Sequence, residues 1–504
     1  MNHNNGPTAI RSLQSGVPGL DRVLGGGIPE YSFNLIAGGP GAGKTTLAHQ
    51  IIFANATPER PALYFTVLGE PAIKMLRYQR EFSFFDTSAV GSAIQFVNLT
   101  EEVVGGNLDG VMERIAGEVE ATRPAMVVVD SFRTIGVPRG PLQDLDRGMD
   151  HFIQRLSLQL TTWEVTSFLL GEYGEDEQRD PVFTVADGVL WLSQAIDRNS
   201  VVRKLQVVKS RGRSPMPGLH TFRITDGGLQ VFPRIPEQAG GREPQARERL
   251  STGISGLDEM LGGGVVMGDA VMFTGPAGSG KSTVATQFMV AGLNKGETGV
   301  VAVFEEYPEE YLERANARDP EIARMIREGK LEVIYLRPLD LSVDEALHEI
   351  LSAVERLDAK RVVIDSLSGF EVALAPTFRE DFRESLYRLV GTLTATGVTV
   401  FMTAEVAGGF ADPRFTTENV SFITDEIIIQ RYVEIEGKIQ RVMAVIKMRG
   451  SDHSHELRLY ELTAGGLAVG DSLAEYDGIL TGWPTIRSKA PAARTGTSQS
   501  GRSQ

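Results

Sequence analysis

The chain has 504 residues, room for two to four domains at the usual ~100–200 residues each, and its 42% hydrophobic and 23% charged content is ordinary for globular proteins, which excludes wholesale disorder and fibrous architecture. A formal charge of −15 with no extended Lys/Arg block disfavours a general nucleic-acid binder, and the lack of cysteine removes disulfides, thiolate catalysis and cysteine-based zinc sites. Residues 1–11 are polar, without an apolar h-region, and no uninterrupted apolar run reaches about 18 residues, so a soluble, cytoplasmic, non-membrane protein is expected.

In chain order, Ser15-Gly-Val-Pro-Gly-Leu-Asp-Arg-Val-Leu-Gly-Gly-Gly27 precedes a strand predicted over Tyr31–Ala37, a Gly-rich loop, a helix over Thr45–Ala54 and strands over Ala62–Leu68 and Ala125–Asp130. The last is an almost unbroken apolar run, as in a parallel sheet buried on both faces. Pro233 to Arg249, with three prolines and two glycines among charges, reads as an exposed linker. The text then repeats. Thr252-Gly-Ile-Ser-Gly-Leu-Asp-Glu-Met-Leu-Gly-Gly-Gly264 stands 237 positions after its first copy, and Lys281 keeps the same offset from Lys44. Val127 to Ser131 recurs as Val362 to Ser366, and Lys209-Ser-Arg211-Gly212 as Lys447-Met-Arg449-Gly450. Strands are predicted over Ala270–Thr274, Gly299–Phe304, Arg361–Asp365 and Val398–Thr403, helices over Ser282–Leu293 and Leu386–Thr394. Ile427–Val433 and Val442–Lys447 read as an antiparallel hairpin joined through Gly437. The expected organisation is α/β: tandem domains over 1–232 and 250–488, each a mainly parallel sheet flanked by helices, a linker over 233–249 and a disordered tail over 489–504.

Gly38-Gly-Pro-Gly41-Ala-Gly43-Lys44-Thr45-Thr46 and Gly275-Pro-Ala-Gly278-Ser-Gly280-Lys281-Ser282-Thr283 both satisfy the P-loop pattern between a strand and a helix. Glycines let successive N–H groups converge on phosphates, Lys44 or Lys281 reaches the β/γ oxygens, and Thr45 or Ser282 can ligate Mg²⁺. Two matches at repeat-equivalent positions point to ATP. Asp130 and Asp365 end apolar strands, where a carboxylate can hold the Mg²⁺ shell; taken alone, each also suits a turn or helix cap. Glu305 and Glu306 follow the next strand of the second copy, poor core material but suited to deprotonating a nucleophile, with Glu305 also near the metal. Aligning Pro71 with Pro308 places Leu68 and Gly69 there in the first copy, with Glu70 the nearest acid. Lys209, Arg211, Lys447 and Arg449 are either exposed strand-end charges or cations serving a neighbouring subunit's γ-phosphate.

Together these features resemble the KaiC family of RecA-like ATPases in its duplicated form, over about Leu13 to Ile486. The discriminating segments are the Gly-Leu-Asp motif with its three glycines, both P-loops, Phe304-Glu-Glu306, and Ile423-Thr-Asp-Glu-Ile-Ile-Ile-Gln-Arg-Tyr-Val-Glu-Ile-Glu-Gly437 with Lys447-Met-Arg-Gly-Ser451. The resemblance implies a homohexamer of two stacked rings with ATP at subunit interfaces, slow hydrolysis, and a second domain that phosphorylates its own Ser/Thr residues. It also implies a KaiB-like, thioredoxin-like partner on the first ring and an activator that captures the C-terminal loop Gly470 to Thr485, where Trp483 is either an exposed anchor or packed. The family's adjacent Ser and Thr acceptors match Ser421 and Phe422, so Ser421 is the expected phosphoacceptor and a two-site cycle is not expected. Thr416, Thr417 and Thr424 are nearby hydroxyls. Two other classes share the fold. A recombinase or helicase should present basic or aromatic DNA-facing loops, against which the charge argues. A nucleotide-gated signalling scaffold without kinase activity fits the Phe422 substitution and the altered first-copy acids.

Overall fold

The computed structural model describes residues 11–67, 72–104, 108–132, 142–174, 180–197, 200–234, 248–317, 319–336, 341–374, 382–406, 423–479 and 485–486. Leu68 to Pro71, Thr416, Thr417, Ser421, Phe422, Trp483, residues 235–247 of the expected linker and the 489–504 tail lie outside them. The chain forms two compact units, one built on residues up to Pro236 and the other chiefly on residues from Glu237.

The sheet of the first unit comprises β1 Phe33–Gly38, β2 Ala62–Thr66, β3 Ile94–Asn98, β4 Met126–Asp130, β5 Thr166–Glu172, β6 Gly188–Asp197, β7 Ser200–Ser210, β8 His220–Thr225 and β9 Gly228–Phe232. Its spatial order is β9-β8-β7-β6-β1-β5-β4-β2-β3. Strands β1 to β6 pair in parallel, and β6 to β9 pair antiparallel, extending one edge. Along β4, Met126 and Val128 join one hydrophobic cluster while Val127 and Val129 join the other. Both faces are therefore covered, which explains why the run lacks polar alternation.

The second unit repeats the design with β10 Ala270–Gly275, β11 Gly299–Val303, β12 Leu331–Tyr335, β13 Arg361–Asp365, β14 Thr399–Glu405, β15 Glu426–Ile435, β16 Lys438–Met448, β17 Arg458–Thr463 and β18 Gly466–Ser472. Read from the antiparallel edge, the order is β18-β17-β16-β15-β10-β14-β13-β11-β12, matching the first sheet strand for strand. The two units are tandem RecA-like domains. The predicted β15–β16 hairpin is present and longer than its sequence signal, turning through Glu436 and Gly437 at φ 53° and 73°. Positive φ at both turn residues matches the strand twist, and glycine takes it readily.

Both units share an entry device. Asp21 accepts from the Ser15 N–H at 2.9 Å and Asp258 from the Thr252 N–H at 2.8 Å, folding the Gly-Leu-Asp motif so that Leu20 and Leu257 are buried. The chemistry-bearing helices are α1, Lys44–Asn55, and α2, Lys281–Asn294, each starting one residue before its prediction. Gln50 of α1 accepts from the Leu229 N–H, and Gln287 of α2 accepts from the Leu467 N–H, both at 2.8 Å. Each phosphate-loop helix is thus tied to the antiparallel edge of its own sheet. Among the described residues, no helix is long and apolar enough to cross a membrane.

Candidate nucleotide sites

Each P-loop leaves the carboxyl end of the central parallel strand, β1 or β10, where open α/β sheets bind ligands. The two loops have the same backbone: φ is 72° and 97° at Gly41 and Gly43, 73° and 100° at Gly278 and Gly280. Only glycine takes these values without strain, and at Gly280 a side-chain carbon would also meet Leu462 Cδ2 at 2.6 Å. Lys44 Nζ donates to the carbonyls of Gly38 and Gly39 at 2.9 and 2.8 Å, and Lys281 Nζ to those of Gly275 and Pro276 at 3.0 and 2.9 Å. Burial lowers the pKa of both ammonium groups, against the pull of Glu172 and Asp130 on Lys44 and of Glu405, Asp365 and Glu305 on Lys281. Thr46 and Thr283 follow on the first turns of the helices, Thr283 buried.

In the first unit, Asp130 Oδ2 accepts from Thr45 Oγ1 at 2.9 Å and from the Tyr64 hydroxyl at 2.6 Å. Desolvation raises the Asp130 pKa, which the Tyr64 and Thr45 hydrogen bonds and Lys44 oppose. A hydroxyl and a carboxylate held together beside the P-loop lysine suit a Mg²⁺–phosphate shell. In the second unit, Asp365 Oδ1 instead accepts from Thr403 Oγ1 at 2.5 Å. The peptide bonds Asp130–Ser131 and Asp365–Ser366 are both cis.

Strand β11 ends at Val303, so Glu305 and Glu306 lie in the following bend and not on the strand itself. Glu305 is exposed and accepts from Ser366 Oγ at 2.7 Å. Ser366 also caps the following helix, accepting from the Gly369 N–H at 3.1 Å. The carboxylate is thus aimed by a serine directly after Asp365. Glu306 turns away to pair with Arg314, and desolvation raises its pKa against that pairing. Of the two acids, Glu305 is the one free to face a reacting group. Leu68 and Gly69, its expected first-copy counterparts, lie outside the described residues.

Sequence reasoning missed Glu172 and Glu405. They end β5 and β14, register partners of Gly38 and Gly275, so one acid flanks each P-loop strand. Carrying the repeat alignment into those strands would have found them. Lys209 and Arg211 stand at the opposite end of their sheet. Ser210 pairs with Gly188, and Gly188 with Asn34 at the start of β1. Lys209 Nζ donates to the carbonyls of Phe183 and Thr184, and Arg211 pairs with Asp187 at 2.9 Å. Lys447 and Arg449 repeat this: Met448 pairs with Glu426 and Glu426 with Val271, while Lys447 Nζ donates to the Thr424 carbonyl at 2.6 Å and Arg449 approaches Asp425 at 3.5 Å. Neither cation pair is brought to the P-loop of its own unit.

Two P-loops at the carboxyl ends of two parallel-cored sheets, each with an aspartate on a nearby strand, define a tandem P-loop NTPase. The family model for the KaiC ATPase matches residues 13–235 and again 250–474, and the chain belongs to that family. Among its relatives is the circadian clock oscillator protein KaiC of Picosynechococcus, 28% identical over 491 residues covering 96% of this chain and 94% of that protein. The protein of the same name from Synechococcus elongatus is 27% identical over 492 residues, again 96% and 94% of the two chains.

Proposed function

We propose that the protein is a cytoplasmic homohexameric ATPase whose second unit phosphorylates its own Ser421, acting as a timing or signalling regulator. The observation that carries the reading is the position of Lys447 and Arg449. At the far end of the sheet from their own P-loop, they do not serve the phosphate of their own unit, which fits a role toward nucleotide bound by a neighbouring copy. The clock function named for the relatives supports the regulatory part.

In this reading the Ser421 hydroxyl attacks the γ-phosphorus of ATP bound by a neighbouring copy. Glu305 takes the hydroxyl proton as the new O–P bond forms and the bond to the β-phosphate oxygen breaks, releasing ADP. Lys281 of the ATP-binding copy and Lys447 and Arg449 of the other offset charge on the transferring group. Thr45 with Asp130, and Ser282 with Asp365, would hold Mg²⁺, which would supply Lewis-acid stabilisation of the phosphates. A KaiB-like partner on the first unit and an activator at Gly470 to Thr485 complete the proposed assembly.

Incubating the full chain with labelled Mg-ATP and mapping phosphopeptides by mass spectrometry tests the kinase step. Ser421→Ala should remove the dominant phosphopeptide and leave ATP binding and hexamers intact. Undiminished phosphate on Thr416, Thr417 or Thr424 moves the acceptor, and no phosphate on any wild-type residue favours a signalling scaffold. Sedimentation showing only monomers at micromolar protein with saturating Mg-ATP ends the hexamer proposal.

A further inference from the structure

The second P-loop is held from outside by side chains that the first lacks. Ser279 Oγ, fully buried, donates to Gln430 Oε1 at 2.8 Å, the Tyr460 hydroxyl donates to the Ser279 carbonyl at 2.7 Å, and the Tyr432 hydroxyl to the Ala277 carbonyl at 3.3 Å. Gln430 and Tyr432 lie on β15 and Tyr460 on β17, so residues 277–279 of the loop are bonded to the antiparallel edge of the sheet. Strand register identifies the first-copy counterparts. Gly38 pairs with Leu192, and Thr274, one residue before Gly275, pairs with Ile429, one residue before Gln430. The 237-residue offset of the repeat matches Ala42 to Ser279, and the strand registers match Phe222 to Tyr460. Ala42, Leu192 and Phe222 carry no side-chain donor or acceptor, so the Ser279–Gln430 and Tyr460–Ser279 bonds have no counterpart at the first loop, while Gln194 stands at the Tyr432 position.

Both loops nevertheless share their glycine φ values. The bonds therefore do not create the phosphate-binding shape; they raise the cost of leaving it. We infer that Ser279, Gln430 and Tyr460 are positioning residues that hold the second P-loop in its phosphate-binding shape before nucleotide arrives, giving the second site a preorganised affinity the first does not have. Preorganisation lowers the ordering cost that binding otherwise bears. The inference rests on the second P-loop being an ATP site.

The test uses the full chain carrying Lys44→Ala and Thr45→Ala, so that the first site is silent, with binding and dissociation of a fluorescent N-methylanthraniloyl-ATP measured in Mg²⁺. Ser279→Ala and Gln430→Leu should each raise Kd about three- to tenfold, the range expected for one net hydrogen bond. The double variant, which copies the Ala42 and Leu192 pair, should be no weaker than the worse single variant, and Ser279→Thr should recover most of the affinity. A comparable loss of stability elsewhere should not move Kd. Thr399→Val, which removes a buried bond to the Gly268 N–H at 2.7 Å far from the loop, is that control. Unchanged Kd in both single variants, effects that multiply in the double variant, or an equal loss in Thr399→Val would overturn the inference. No saturable binding in the parent would overturn the ATP-site reading and the inference with it.

Discussion

At the first site the aspartate is enclosed. Asp130 is capped by Tyr64 and touches Thr45, and the positions aligned with Glu305 and Glu306 hold Leu68 and Gly69. At the second site Asp365 takes its hydrogen bond from Thr403, and beside it Glu305 is exposed and aimed by Ser366. Two copies of one sheet therefore keep the same phosphate cradle and differ in what surrounds it. Ground-state phosphate contacts reside in the loop backbone and lysine, common to both, whereas proton removal depends on an acid beyond the loop. The proposed division, in which one copy holds nucleotide and the other performs chemistry, rests on that difference in surroundings.

The sharpest break in that comparison is Glu305→Gln. It keeps the Ser366 contact in size and removes the base, so phosphoryl transfer at the second site should fall by about 10²–10⁴-fold with nucleotide affinity within a few-fold of the parent. Single-turnover assays with labelled ATP measure it; a fall below tenfold would assign proton removal elsewhere. Next comes the lysine pair. Lys281→Ala should remove most steady-state hydrolysis, more than about tenfold, while Lys44→Ala should chiefly shorten nucleotide retention. If Lys44→Ala instead abolishes most turnover, the first site is the main hydrolase and Glu70 becomes its candidate acid.

Much of this was legible in the sequence because backbone-level chemistry repeats in the text. The P-loops, the apolar strands ending in Asp130 and Asp365 and the β15–β16 hairpin each have a local signature, and the RecA-like fold followed from them. Contacts between strands distant in sequence were not legible. Glu172 and Glu405 read as ordinary surface acids until register places them beside Gly38 and Gly275. Tyr64 reads as core, and only the neighbouring β4 reveals its hydroxyl as a ligand of Asp130. The acid pair was legible as chemistry, but which member faces outward was decided by Arg314 drawing Glu306 away.

A smaller difference concerns pH. Gly188 of the first unit lies against Asn34, and the register equivalent of Gly188 in the second unit is the fully buried Glu426. Desolvation pushes the Glu426 pKa up to about 7, aided by Asp269 and Asp425 and opposed by its bond from the Val266 N–H and by Arg249. A carboxyl with a raised folded-state pKa contributes stability that is fully present below its ordinary value of 4.5 and lost as pH rises through about 7. Guanidinium unfolding should show the second unit weakening between pH 5 and pH 8 by on the order of 2–3 kcal/mol, and Glu426→Gln should flatten that slope. An equal slope in wild type and variant would assign the dependence to other groups.

The smallest expected effect isolates the cap on Asp130. Tyr64 is fixed by stacking on His49 at 4.7 Å, and burial pushes that imidazole's pKa down to about 3, so it stays neutral and the cap does not move with pH in the working range. Tyr64→Phe preserves the stack and deletes only the 2.6 Å hydrogen bond. That bond is one of the contacts holding the Asp130 pKa down against burial, so without it the carboxyl protonates at higher pH and holds Mg²⁺ less well. Losing one hydrogen bond to a charged group costs about 1.5–3 kcal/mol at most, and less if water enters. Nucleotide retention at the first site, measured with Lys281→Ala silencing the second, should therefore shorten several-fold at pH 8 and further at pH 6. Thr403→Val is the matching change at the second site. If Tyr64→Phe leaves retention and its Mg²⁺ dependence unchanged at both pH values, the enclosure of Asp130 is packing alone and contributes nothing to how long the first site holds nucleotide.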